Sequence, residues 1–396
     1  MGMTPGRVGL LFIVALGVAA TAAAASAPNG QGQSIGVNDI PKTFTDVVPG
    51  GQDFIRRTVM IRMRDGVKLN TVIVIPKGAH DAPILLTRTP YNADERAGNA
   101  LSSSMLTSLP LGDAVFAKAG YIRVYQDVRG KYGSQGDYVM MRPVRGALNP
   151  TNVDHVTDAW DTIDWLVKNL PESNGNVGMI GSSYEGFTAA MALLDPHPAL
   201  KAVVPESPVL DAYMGDDWFH YGAFRNLMLG YVHMQTVQQG AGAVTPSDTY
   251  DKYEEFLRAG STGDYVRSRG LDKLPFISRM MAHPAYDGFW QGQDLVRLLA
   301  ARPSSVPTLW EQGLFDQEDM WGANHAWLAA RSGACDTKKT FSICRQNEPA
   351  QSPPVGTAVP LPNGRPGVSA EVTVANLPHA RRKASGGSTD SGHGAA

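Results

Sequence analysis

The sequence predicts an α/β fold in which a mostly parallel sheet is covered on both faces by helices and a helical insertion interrupts it late. Three observations predict it. Strand-like and helix-like patterns alternate from Thr58 to Ser207. Ala82 to Arg88 reads as the continuous apolar run that a buried strand requires. From Asp211 to about Leu298 the rhythm breaks into helical stretches with many aromatics and few β-type runs, which reads as a cap lying over the strand ends.

Taken in order, residues 1–25 read as a secretory signal. Arg7 supplies the positive start, Val8 to Ala20 the apolar stretch, and Thr21 to Ala27 small-residue cleavage sites. Export to the periplasm or beyond is the expectation. Residues 26–42 read as a flexible leader. Residues 43–210 form the first part of the core. Thr58 to Met63 alternates, Arg64-Asp65-Gly66 turns, and Val67 to Ile75 alternates again, a hairpin signal. Ala82 to Arg88 ends in the loop Thr89-Pro90-Tyr91-Asn92. A helix is expected over Leu106 to Gly120 and a strand over Tyr121 to Gln126, followed by a polar Gly/Tyr loop to Tyr138. Asp154 to Leu170 is amphipathic, with Val156, Ala159, Ile163 and Leu166 on one face and Pro171 ending it. Ala202 to Ser207 is a further strand. The cap occupies 211–298. The core resumes over 299–341, with a strand from Val306, an acidic loop holding Asp316, Glu318 and Asp319, and a helix from Met320 to Arg331. Residues 342–396 read as a divergent, disordered tail.

Between the amphipathic helix and the Ala202 strand, Asn174 to Ile180 runs as a short strand into Gly181-Ser182-Ser183-Tyr184-Glu185-Gly186, and an Ala-rich helix follows at once. That is the layout of a nucleophile elbow, which presents a serine at the top of a sheet beside a helix N-terminus. The spacing departs from G-x-S-x-G, since Glu185 holds the +2 position and the second glycine is Gly186. An ordinary strand–helix junction with a serine N-cap fits these residues as well.

Composition narrows the function. Net charge is −2 with 18% charged residues, which gives no argument for nucleic acid as partner, and no later run is long enough to span a bilayer. No metal-ligand spacing occurs, and no cofactor is called for. Cys335 and Cys344 are the only cysteines, and an exported chain would permit a disulfide between them.

Gly181 to Gly186 resembles the elbow of the X-prolyl dipeptidyl peptidase and cocaine esterase superfamily of serine hydrolases. The longer stretches Gly181 to Arg225 and Trp310 to Trp327 resemble one branch of it, the α-amino acid ester hydrolases, also known as cephalosporin or glutaryl acylases. The resemblance spans residues 43–340. It implies an α/β-hydrolase fold with Ser183 as nucleophile and Asp316 as the triad acid. It also implies an oxyanion hole made by the Tyr184 backbone N–H and the Tyr91 hydroxyl, one such donor being worth about 2.7–4 kcal/mol of barrier. A carboxylate cluster of Asp217, Glu318 and Asp319 would receive a substrate α-ammonium group, with Asp211 and Asp216 as weaker candidates. The bland alternatives are that Glu318 and Asp319 complement the N-terminus of the following helix, and that Asp216 and Asp217 form a solvated turn. The expected substrate is a small α-amino acyl ester or amide, the acyl group passing to water or to a β-lactam amine. A dipeptidyl peptidase or broad carboxylesterase is the alternative activity. Homo-oligomeric assembly stays open.

The resemblance also requires a histidine after Asp316 as general base. The strand starting at Lys338 is followed by Ser342-Ile343-Cys344-Arg345-Gln346-Asn347, with no histidine at the expected place. His325 reads as structural, and His379 and His393 fall in the tail. The expectation is therefore a hydrolase lacking the family's C-terminal β-rich domain, its frame changed near Phe341, and an inactive fragment is the third reading.

Overall fold

The computed structural model describes residues 51–98, 101–245, 247–313 and 315–332. The expected signal, leader and tail, both cysteines and the question of a C-terminal β-rich domain lie outside the described residues.

The N-terminal hairpin forms as its alternation predicts. β1 (Phe54–Arg62) and β2 (Lys68–Pro76) pair antiparallel from Phe54 opposite Pro76 to Arg62 opposite Lys68. At the turn Gly66 adopts φ 89°, a left-handed value that glycine takes without a Cβ penalty. There follow β3 (Ala82–Thr89), α1 (Ala93–Arg96), α2 (Met105–Ser108), α3 (Ala114–Lys118), β4 (Ile122–Asp127), α4 (His155–Asn169), β5 (Ser173–Ser183), α5 (Tyr184–Met191) and β6 (Leu200–Pro208). The sheet order is β1-β2-β4-β3-β5-β6. β2 meets β4 antiparallel, whereas β4, β3, β5 and β6 run parallel. Among the described residues, the strand expected from Val306 joins β6 through two isolated parallel bridges, Val203 to Thr308 and Glu206 to Glu311.

The single helix expected over Leu106 to Gly120 does not form. Pro110 lacks an N–H and drives Leu109 to an extended ψ of 159°, so α2 stops there. A 3-10 turn at Leu111–Asp113 and the short α3 complete the segment.

α4 begins with a reciprocal cap: Thr157 N–H donates to Asp154 Oδ1 (2.8 Å) and Asp154 N–H to Thr157 Oγ1 (2.9 Å). Its Ile163 and Leu166 bury against Ile73, Ile84, Leu86, Val124 and Met179 of the sheet. Each such side chain removed from water contributes about 1.5–3 kcal/mol. On the opposite face, residues of α1 and α2 pack on Phe54, Val72, Val74 and Tyr125.

After β6 the chain forms a small ribbon, β7 (Phe219–His220) with β8 (Ala223–Phe224), and helices α6 (Met228–Thr236), α7 (Lys252–Ala259), α8 (Thr262–Ser268), α9 (Pro275–Ala282), α10 (Gly288–Gln291) and α11 (Leu295–Ala301); α12 (Gly322–Ser332) follows the acidic loop. This is the cap. Trp218, Phe219, Val232, Ile277 and Trp290 share one core with Tyr184 and Phe187 of α5. A buried cation also holds it down. Lys131, on the loop after β4, donates to the carbonyls of Gln235 (2.9 Å), Gln238 (3.2 Å) and Gly240 (3.1 Å) at the end of α6. Desolvation lowers its ammonium to about 8. Among the described residues no helix is long and apolar enough to cross a membrane.

α5 crosses β5 and β6 at close range through Gly186, where a Cβ would lie 2.9 Å from the Glu206 carbonyl and 3.0 Å from that of Gly181. Gly186→Ala is expected to cost about 1–3 kcal/mol in urea denaturation. Gly230→Ala in α6, with nothing within 4 Å, should instead gain about 0.5–1 kcal/mol. The reverse ranking would contradict this packing.

Candidate active site

β5 delivers Ser183 at its C-terminal end, and α5 starts at the next residue. Ser183 takes φ 58° and ψ −120°, a conformation costly for any residue with a Cβ. Its side chain makes no capping bond to α5, so the hydroxyl is not spent as an N-cap. Tyr184 is the first helical residue, and its N–H is among those with no partner inside the helix. Glu185, the departure at the +2 position, has a structural job. It lies over Gly181, where a Cβ would meet the Glu185 Cβ at 2.5 Å. Its carboxylate takes both ends of Arg96, with Nε to Oε1 at 2.8 Å and Nη2 to Oε2.

Tyr91 follows β3 and is half-buried against the cap core. Its hydroxyl lies 3.0 Å from that of Tyr231 on α6 and also meets the Ser183 side chain. Burial drives this phenol far above its ordinary range, so it stays protonated and able to donate.

The carboxyl groups divide by what they bind. Asp216 Oδ2 accepts from the N–H groups of Leu210 (2.9 Å) and Asp211 (3.0 Å), and Oδ1 from those of Trp321 (2.8 Å) and Gly322 (3.0 Å). Asp216 therefore caps the start of α12, the job the sequence left open for Glu318 and Asp319. Burial still pushes its carboxyl up to about 7 against those four donors. Asp211 accepts from Tyr213 and Met214 N–H (both 3.1 Å) within its own turn, and burial beside Asp294 raises it to about 6. Asp316 Oδ1 accepts from the N–H groups of Glu318 (2.9 Å) and Asp319 (3.1 Å), folding the acidic loop back on itself.

Asp217 and Asp319 are different. Asp217 is buried at φ 53°, and its N–H donates to the Glu318 carbonyl (3.1 Å). The Asp217 and Asp319 carboxyls face each other, and the Ser183 side chain lies beside Asp319. Two adjacent buried carboxylates cannot both ionise cheaply, so burial raises both and the pair keeps a proton near neutrality. Asp319 Oδ1 has no partner. Glu318 is half-buried, receives Gln317 Nε2 at 3.1 Å, and adds its charge to Asp217. Arg225 Nη1 donates to the Glu318 carbonyl (3.0 Å) and moderates the negative field.

Ser183, Tyr91, Asp217 and Asp319 thus converge, and Glu318 borders them. Asp316 lies on the same loop with its carboxylate turned to backbone. Among the described residues no histidine bonds Ser183 or Asp316: His325 stacks on Trp321 and binds its carbonyl, and His155 packs edge-on to Tyr184 and Phe187. His379 and His393 lie outside the described residues. No group of three or more His, Cys, Asp or Glu among the described residues is arranged to hold a metal. Tyr231 and Arg225 went unremarked as site residues in the sequence. The available signal for Tyr231 was its place among the cap aromatics, which marks a core as readily as a site.

The chain matches the profile of the X-Pro dipeptidyl-peptidase (S15) family over residues 65–341. A solved structure of an α-amino acid ester hydrolase is similar at 56% identity and TM-score 0.71, covering 76% of this chain and 49% of that one. An aminopeptidase structure from a marine sediment archaeon, Thaumarchaeota archaeon, is similar at 50% identity and TM-score 0.71, covering 75% and 48%. The cocaine esterase of Rhodococcus sp. (strain MB1 Bresler) is 28% identical over 282 residues, 66% of this chain and 45% of its own length. The chain spans about half the length of the relatives it matches.

The raised carboxyls carry a sign. The folded pair holds a proton that the unfolded chain loses above about 3.8, so its burial opposes folding increasingly as pH rises from there through neutrality. Asp217→Asn should therefore stabilise the protein at pH 8, on the order of 1–3 kcal/mol. The gain should fade towards pH 4 in urea titrations; a pH-independent or negative difference would count against the shared proton.

Proposed function

The chain belongs to the X-Pro dipeptidyl-peptidase (S15) family, and from that membership and the pocket at Ser183 we propose that it is a serine hydrolase of α-amino acid esters or amides. The supporting observation is the position of the Ser183 side chain, which lies against the Tyr91 hydroxyl and against Asp319, whose carboxyl faces that of Asp217. Ser183 Oγ would attack the acyl carbonyl. The Tyr184 N–H and Tyr91 hydroxyl would take the developing oxyanion, and the leaving alcohol or amine would depart to give an acyl-enzyme. Water or a β-lactam amine would then accept the acyl group. Asp217, Asp319 and Glu318 would receive the α-ammonium group, since closely placed acceptors in a covered pocket favour a compact cation over a neutral acyl chain. The name of the 56%-identical relative points to the same substrate class. Attack requires a base for the Ser183 proton, and Asp316 would orient that base.

A second reading has its own support. The facing Asp217 and Asp319 carboxyls and the unpartnered Asp319 Oδ1 would hold an α-ammonium group whether or not Ser183 reacts, which fits a chain that binds such ligands without turning them over.

A fluorophosphonate probe applied to the purified full chain separates the two. Covalent labelling that disappears in Ser183→Ala is the outcome for the hydrolase, and an unlabelled but folded chain would be the outcome for the binder. Substrate class is tested separately. Asp217→Ala should abolish the preference for α-amino esters over their des-amino counterparts while sparing simple esters. An unchanged preference would favour a general carboxylesterase.

A further inference from the structure

Tyr231 is a group the proposed chemistry does not use, yet it is placed against it. The residue lies on α6, its ring stacks on Trp218 (centroids 6.0 Å apart, 21° between planes), and its hydroxyl sits 3.0 Å from that of Tyr91. Two neutral phenols at that distance share one hydrogen bond, so one donates and the other accepts. If Tyr91 is to give its proton to an oxyanion at Ser183, its oxygen can only accept from Tyr231. We propose that Tyr231 is a positioning residue for Tyr91: its hydroxyl donates to the Tyr91 oxygen and aims the Tyr91 proton at Ser183. The catalytic consequence rests on the hydrolase reading above. As negative charge builds on the oxyanion, the Tyr91 O–H polarises and its oxygen becomes a better acceptor, so the two bonds strengthen together. The arrangement also ties the cap to the oxyanion hole, because the end of α6 is fixed by Lys131. The groups acting on the pair are Ser183, Asp217, Glu185, Tyr138 and Arg96, whose guanidinium lies 5.9 Å from the Tyr91 ring centre.

The coupling of the two hydroxyls is testable without turnover, and the direction of their bond by turnover. A polyfluorinated tyrosine placed at position 91 of the full chain brings its phenol into a range that fluorine NMR can titrate. Tyr231→Phe keeps the ring stacked on Trp218 and removes only the hydroxyl. Losing a donor to Tyr91 should raise the Tyr91 midpoint; a lowered or unmoved midpoint would overturn the proposal. In turnover of an α-amino ester, Tyr231→Phe should reduce kcat about three- to tenfold with KM nearly unchanged. The same change should have no effect in a Tyr91→Phe background. Equal losses in both backgrounds would mean Tyr231 acts independently of Tyr91. A wild-type chain that turns over no ester would defeat the hydrolase reading, while the titration would still decide the coupling.

Discussion

A serine held at φ 58° is the constraint around which this structure is arranged. Such a backbone costs about 1–3 kcal/mol and persists only where its surroundings leave no easier choice. Here β5 is hydrogen-bonded to β3 as far as Met179 and to β6 as far as Ser183, and α5 is pressed onto the sheet immediately after it. Gly181 and Gly186 permit that approach, because Cβ atoms there would run into Glu185 and into the Glu206 carbonyl. The Glu185–Arg96 ion pair ties the start of α5 to α1, the short helix just after Tyr91. The strain at one residue and the packing of its neighbours therefore have the same cause.

A second constraint is electrostatic and belongs to the loops over the strand ends. Six acidic residues gather there, and their neighbours give them different partners. Asp216, Asp211 and Asp316 each accept backbone N–H groups and act as structural pins. Asp217 and Asp319 face each other instead, and Asp319 keeps an oxygen without a partner. A buried acceptor left unsatisfied costs stability, so its retention beside a strained serine fits a pocket built for a cationic group. The proposed site is thus strained in its backbone and underpaired in its charge.

Much of this was legible in the sequence because it depends on local rules. Alternation around Asp65-Gly66 gave the hairpin, the apolar run at Ile84 gave a central strand, and the glycines around Ser183 gave the turn. The helix expected over Leu106 to Gly120 failed on Pro110, whose effect is equally local. The roles of the carboxyls were harder to read. Asp216 and Asp217 are adjacent in sequence, yet only the fold shows that one meets four N–H groups and the other a second carboxyl. Glu318 and Asp319 sit beside a helix start that Asp216 caps from 105 residues away. Tyr231 carries no sequence signal that separates it from Tyr221 or Phe224, because its partner lies 140 residues distant.

If the Asp217–Asp319 pair shares a proton near neutrality and also receives an α-ammonium group, the bound ammonium should displace that proton. Calorimetric titration of the full chain with alaninamide near pH 7, in two buffers of different ionisation enthalpy, measures that proton directly. Release of about one proton per ligand bound is expected, with no comparable binding of propionamide, which lacks the amino group. Binding of both amides alike, with no proton released, would contradict that displacement.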